Sequence, residues 1–354
     1  MRKQEVRRGL GHFVAITRNR TKGQSFVPHP RRAIFIETSG RCNLACRFCA
    51  YDKVHPGDFM ANDTFADVLQ QTTDMGFNTI WLTPMLGEVF SDPEIDNKFA
   101  QLEAHPKIDA YSFYSNFILA REEQISSLPN LKKLSALFFS IYGFDEASFE
   151  LTTRKPASQF LKLLDNLETL LKICGNWQPK NGIHFNVRTQ VTDQSILETN
   201  GKLGDLLRKF VEQVDANVSQ ADDYDSWGGT IFQHEVDLLG IKLMDGKHIY
   251  MHGACTKVFS EVQIKADGQV HACACRDVDG SLIVGDLKQS ALADILSFRN
   301  EPYRQLIESQ MKGKFNSNCR SCSSYRSVYD DRPSRYDSTM KTLSFEDAVK
   351  LLGA

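Results

Sequence analysis

The stretch "AIFIETSGRCNLACRFCAYDK", residues 33–53, decides how the rest of the chain is read. It opens as a short apolar strand, "AIFIET" (33–38). It then runs into Cys42, Cys46 and Cys49, spaced C-x3-C-x2-C. In parallel α/β folds the carboxyl ends of strands are where chemistry gathers. A metal site closed by protein usually takes four ligands, and three leave one position for something else. Three thiolates on one loop suit three irons of a cubane [4Fe-4S] cluster, with the fourth iron open. Taken alone, the same residues also fit zinc with a distant fourth ligand such as His55.

Outward from this loop, strand and helix patterns alternate. Strands are expected at "NTIWLT" (78–83), "IDAYSFY" (108–114), "LSALFFSIY" (134–142), "GIHFNVRTQV" (182–191) and, weakly, "ANVSQA" (216–221). Between them lie helical patterns at 64–76, 93–105, 121–128, 157–175 and 203–214. Such alternation implies parallel strands with crossover helices, and six units suit a partial barrel better than one flat sheet. The rhythm breaks at "DSWGGT" (225–230). Beyond it come a hairpin signal, "VQIKAD" and "QVHACA" around Asp267-Gly268, one helix over 290–311, and "CRSC" (319–322). The expected organisation is a basic N-terminal extension (1–30), a barrel (31–225), a linker (226–254), a small cysteine-rich domain (255–326) and a tail with a short helix (327–354).

The 354 residues suit about two domains, and 42% hydrophobic with 24% charged residues is ordinary for a globular chain. The net charge is -2, unevenly spread: residues 1–32 carry nine Lys and Arg against Glu5, so the remainder is net -10. The basic arm reads as a solvated, partly disordered extension, and a nucleic-acid partner is not expected. No apolar run reaches bilayer length, so no membrane association is expected. Nine cysteines without a secretory signal point to a reducing cytoplasm, where clustered cysteines are metal ligands or catalytic groups.

C-x3-C-x2-C after the first strand of a six-unit barrel resembles the radical S-adenosylmethionine (SAM) superfamily, roughly over residues 31–326. The resemblance implies a (β/α)6 partial TIM barrel. It implies a cluster whose open iron holds SAM, and a 5'-deoxyadenosyl radical that takes hydrogen from a substrate. By the same resemblance Phe48 lies against the adenine, and Gly87 and Glu88 of "LGEVF" hold the SAM amino group. Asn116 of "YSN" belongs to a Thr-Asn-Gly-like loop in which Phe117 departs from the pattern. Ser140 faces the ribose, Arg154 the carboxylate, and Arg188, on the inner side of the fifth strand, SAM or substrate.

Cys255, Cys273, Cys275, Cys319 and Cys322 form a second set. Gly268-x4-Cys273 resembles the auxiliary-cluster extension known as SPASM. With nothing after Cys322, it resembles the shortened twitch form, which binds one further [4Fe-4S] cluster, as in 2-deoxy-scyllo-inosamine dehydrogenases. Cys255, Cys273, Cys319 and Cys322 are the expected ligands, with Cys275 as rival to Cys273; a zinc ribbon is the alternative. Cys275 and Cys174 are candidate hydrogen donors, although Cys174 at a helix end also reads as buried and inert. Asp223, Asp225 and Trp227, after the sixth strand, are candidate substrate contacts.

The leading expectation is therefore an oxidoreductase, a dehydrogenase or epimerase. It would act on a small polar metabolite (amino sugar, cyclitol or nucleoside) and take electrons from flavodoxin or ferredoxin. Two alternatives stand beside it: a maturase of ribosomal peptides, and a zinc-binding scaffold whose basic arm contacts nucleic acid.

Overall fold

A computed structural model describes residues 3–53, 57–82, 85–192, 194–244, 246, 249–274, 276–331 and 341–353, with 3–9 and 52 by backbone only. All six expected parallel strands form: β1 (Ile34–Ile36), β2 (Thr79–Leu82), β3 (Ala110–Ser115), β4 (Leu134–Tyr142), β5 (Ile183–Arg188) and β6 (Asn217–Ala221). They pair in sequence order. The crossovers hold α2 (Asn62–Asp74), α3 (Ile95–Ala104), α4 (Glu122–Ser127), α5 (Glu146–Thr153), α6 (Ala157–Cys174) and α7 (Lys202–Val214). This is the expected (β/α)6 partial barrel.

The side-chain period of two sets the layers. Along β5, Ile183, Phe185 and Val187 are buried against the helices, while His184, Asn186 and Arg188 face inward and are only half-buried. Helix α7 meets that layer with Leu203, Leu206, Leu207, Phe210 and Val214, spaced three and four apart. Each such side chain contributes about 1.5–3 kcal/mol by leaving water. Lower in the barrel, Tyr114, Phe138 and His184 stack across three strands, with ring centroids 4.6 Å apart at each step.

Several boundaries differ from expectation. The N-terminal arm is not a loose extension but a helix, α1 (Lys3–Thr21). Ala15, Ile16 and Asn19 are buried, His12 pairs with Asp330 at 3.1 Å, and the Asn19 amide donates to the Tyr329 carbonyl at 2.9 Å. The helix thus has a docked face, which gives it the tertiary support that propensity alone does not. The presumed linker is packed as well: Ile231, Val236, Leu239 and Ile241 are buried, and β7 (Asp223–Asp225) pairs with β8 (Lys242–Met244). The expected hairpin forms as β9 (Gln263–Ile264) and β10 (Gln269–His271), joined by β11 (Ile283–Asp286). It does not stand apart, since β9 pairs with β1, Gln263 opposite Phe35, and so continues the barrel sheet. The helix expected over 290–311 is two, Leu292–Ile295 and α8 (Glu301–Met311). Pro302 opens α8, where its missing N–H costs nothing, and Asn300 caps the break by donating to the carbonyls of Val284 and Ile295.

Candidate active site

The loop after β1 is held by its backbone. The amides of Ala45 and Arg47 donate to Thr153 and Thr152 at the end of α5, at 3.2 and 3.0 Å. Arg154 follows in the left-handed region (φ 57°) and returns its Nε–H to the Ala45 carbonyl at 2.6 Å. The Cys42 amide donates to the Tyr51 hydroxyl at 3.0 Å, and the Asn116 amide nitrogen approaches Cys42 Sγ at 3.8 Å. Burial pushes the Cys42 thiol up to about 12, with Glu88 and Cys49 adding to it. Cys46 is raised further by burial and by Cys49 and Cys42, while Arg188 and Arg154 oppose the rise. With Cys46 buried and Cys42 and Cys49 half-buried beside it, the Cys42 and Cys46 thiols are poor thiolates on their own. A cationic metal centre supplies the missing charge, so this donor set fits a cluster. Among the described residues, no three His, Cys, Asp or Glu side chains are placed to hold a single metal ion. The zinc alternative's His55 lies outside the described residues.

Glu88 stands beside this loop. Gly87 presses on the β1 exit so closely that a Cβ there would lie 1.9 Å from the Ser39 carbonyl oxygen. The Glu88 amide donates to the Arg41 carbonyl at 2.7 Å. Its buried carboxylate accepts from the Ser115 hydroxyl and the Asn116 amide, both at 2.6 Å, and from the Phe90 amide at 3.2 Å. Desolvation nevertheless raises it to about 7. A buried carboxylate so raised is stabilised by an arriving ammonium, which fits an amino group held there. Asn116, at the end of β3, joins this carboxylate to the cysteine loop, and its side chain also donates to Asn43 at 2.9 Å. Phe117 keeps the left-handed turn (φ 61°) that a glycine would favour and is fully buried.

Arg188 sits where the alternation implied, on the inner face near the carboxyl end of β5, and Ser140 shares that face near the end of β4. Ser140 is opposite Asn186, and Arg188 is opposite Tyr142. Phe48 is 1% exposed, and its ring lies tilted against Tyr142 (5.4 Å) and Tyr224 (5.0 Å). Of the substrate candidates only Asp223 is exposed. Asp225 and Trp227 are buried and engaged with the C-terminal region: Asp225 holds Arg276 at 2.6 Å and the Ser323 amide at 3.1 Å. Cys174 ends α6, a crossover helix that runs from the carboxyl ends of the strands back to their amino ends. It is therefore on the outer layer at the opposite end from the cysteine loop, which excludes it as a hydrogen donor. Burial pushes its thiol up to about 12. Cys275 lies outside the described residues.

In the second set, Gln310, 1% exposed, accepts from the Cys255 amide at 2.9 Å and donates towards Cys319 Sγ at 3.6 Å. Burial raises Cys319, with Cys255 and Cys322 adding to it, and Cys322 is likewise raised to about 12. Cys255, Cys319 and Cys322 thus face one another, and Cys273 is buried at the exit of β10. Sequence reasoning missed Tyr142 and Tyr224 against Phe48, Arg276 against Asp225, and Gln310 between Cys255 and Cys319. It also missed His271, whose Nδ1 meets buried Asp277 at 2.6 Å.

Comparison with known proteins bears on both sites. Residues 255–323 match the SPASM family, an iron-sulfur cluster-binding domain. Among solved structures, anSMEcpe with bound AdoMet and a Kp18Cys peptide is 17% identical, with a TM-score of 0.51 over 90% of this chain and 95% of that one. BtrN in complex with AdoMet and 2-DOIA is 14% identical, with a TM-score of 0.49 over 84% and 94%. SuiB of Streptococcus suis bound to the precursor peptide SuiA is 14% identical, with a TM-score of 0.45 over 88% and 72%. No curated protein sequence matches this chain. The anSMEcpe likeness shows a shared fold, and the SPASM match makes the C-terminal cysteine region similar to an iron-sulfur cluster-binding domain.

Proposed function

We propose that this chain, whose residues 255–323 belong to the SPASM family of iron-sulfur cluster-binding domains, is a radical SAM enzyme that oxidises or epimerises a small polar metabolite. The observation that carries the reading is the meeting of Cys42, Cys46 and Cys49 with buried Glu88 and Asn116 at the ends of consecutive strands. When bound, a [4Fe-4S] cluster and SAM supply an adenosyl radical able to take a hydrogen atom from an unactivated carbon. Glu88 binds the amino group, Arg154 the carboxylate and Ser140 the ribose. Arg188 and Asn186 line the inner face where a hydroxylated substrate is oriented.

The smaller substrate is favoured by ligand count. Of nine cysteines, three serve the first loop and Cys174 is remote, which leaves five, enough for one four-ligand auxiliary cluster and too few for two. A ribosomal-peptide substrate is the second reading, motivated by the Kp18Cys peptide bound to anSMEcpe. A low-potential flavodoxin or ferredoxin would supply the electron in the reducing cytoplasm. No helix among the described residues is long and apolar enough to cross a membrane.

The test is iron and acid-labile sulfide per chain after anaerobic reconstitution. About eight irons are expected, falling to about four in Cys42/Cys46/Cys49→Ala and in Cys319→Ala. The first variant loses SAM cleavage, and the second retains some. Zinc in place of iron, or undiminished cleavage in the triple variant, would overturn the reading.

A further inference from the structure

The segment 223–229 looks at sequence level like a break after the barrel. In the fold it touches both cysteine sites. On the barrel side, the Trp227 indole N–H donates to the Phe48 carbonyl at 2.8 Å, and the Tyr224 ring lies 5.0 Å from the Phe48 ring. Phe48 stands between Cys46 and Cys49. On the other side, Asp225 accepts from the Ser323 amide at 3.1 Å and from the Ser323 hydroxyl, next to Cys322. Asp225 also pairs with Arg276 at 2.6 Å, and the Arg276 guanidinium lies over the Trp227 ring at 4.9 Å.

The turn is shaped for this position. Trp227 adopts φ 52°, a left-handed conformation costly for a bulky residue, and its amide is fixed by Asp225 Oδ1 at 2.7 Å. Gly228 (φ +64°) packs so tightly on Asn318 that a Cβ would fall 1.4 Å from Asn318 Oδ1. The Ser226 hydroxyl reaches the Ser321 carbonyl, and the Gly246 amide donates to the same oxygen at 3.0 Å. A strained, buried turn persists only where its surroundings hold it, and here the surroundings are the loop carrying Cys319 and Cys322.

We infer that Asp225, Trp227 and Arg276 are positioning residues that set the Cys46–Cys49 loop from the auxiliary site, so that the state of one cysteine site is felt at the other. The inference rests on reading both cysteine sets as cluster sites. Loss of the indole N–H orphans a buried carbonyl between two ligands, a loss that corresponds to about a tenfold change in an equilibrium that needs the loop ordered.

The experiment compares wild type, Trp227→Phe, Ser323→Ala, Cys319→Ala and the Trp227→Phe/Cys319→Ala double variant. In reconstituted protein, Trp227→Phe is expected to keep about eight irons yet bind SAM about tenfold more weakly. In the Cys319→Ala background the same change should weaken binding less than about threefold, because the route is already cut. Unchanged SAM affinity in Trp227→Phe, or two effects that multiply independently, would overturn the inference. Hydrogen exchange in the metal-free chain tests it without any cluster. The amides of residues 46–49 should exchange about tenfold faster in Trp227→Phe, and faster to a smaller extent in the milder Ser323→Ala. Unaltered protection in both would also overturn it. If the wild type holds no iron, the function proposed above fails, and the exchange measurement still decides whether the clamp exists.

Discussion

Phe117 offers a test of how the first site is built, because two opposed effects meet at one residue. Its ring is fully buried, 4.6 Å from Phe139 and 5.8 Å from Phe90, so truncation to alanine costs about 3–5 kcal/mol. Its backbone is left-handed at φ 61°, which costs any residue with a Cβ roughly 1–2 kcal/mol. Alanine loses the ring and keeps that strain. Glycine loses the ring and sheds the strain, at the expense of ~0.4–1 kcal/mol from its freer unfolded chain. Phe117→Gly is therefore expected to be the more stable of the two variants by up to about 1.6 kcal/mol, the reverse of the usual order at buried positions. Urea titrations of both variants, followed by tryptophan fluorescence, would measure the difference. Phe117→Gly should also keep more SAM affinity, since the turn carries the Asn116 amide to Glu88. A glycine variant no more stable than the alanine variant would refute the claim that Phe117 is held against its backbone preference.

Three further outcomes follow from the same site. Glu88 has its folded value raised to about 7 from 4.5, so between those values the folded chain binds the extra proton. This group's contribution to stability is then greatest below ~4.5 and is lost as pH rises through ~7. An ammonium ligand needs the carboxylate, so SAM binding should release a proton and tighten from about pH 6 to about pH 8, and Glu88→Gln should flatten that profile in calorimetry. Gly87→Ala forces a Cβ to 1.9 Å from the Ser39 carbonyl, so stability should fall by about 1–3 kcal/mol and SAM affinity should fall with it. A melting temperature unchanged by that substitution would contradict the close approach. Asp92→Ala leaves Lys98 fully buried without its 2.5 Å partner beside the Glu88 turn, at about 3–5 kcal/mol, whereas replacing both members with apolar residues should recover most of the loss.

The parts of this protein legible in its sequence are those set by neighbours in the chain. The alternation in "GIHFNVRTQV" places Arg188 inward because successive strand side chains point to opposite faces, and no distant residue can alter that. The cysteine spacings work in the same way, since a loop of eight residues brings its own thiols together. What the sequence hid depends on pairings far apart along the chain. Strand β9 meets β1 across 228 residues, Gln263 against Phe35, and nothing local in "VQIKAD" distinguishes a free hairpin from one that continues a barrel. Asp225 and Ser323 lie 98 residues apart, so nothing local in the acidic stretch beside Trp227 shows that Asp225 is bonded to the loop carrying Cys322. The Phe117 departure shows the same limit from the other side. Residue by residue it argues against a glycine-type turn, and only the buried aromatic cluster around it explains how the turn survives. Local pattern thus fixed where each site begins, and long-range burial decided which side chains were left to serve it.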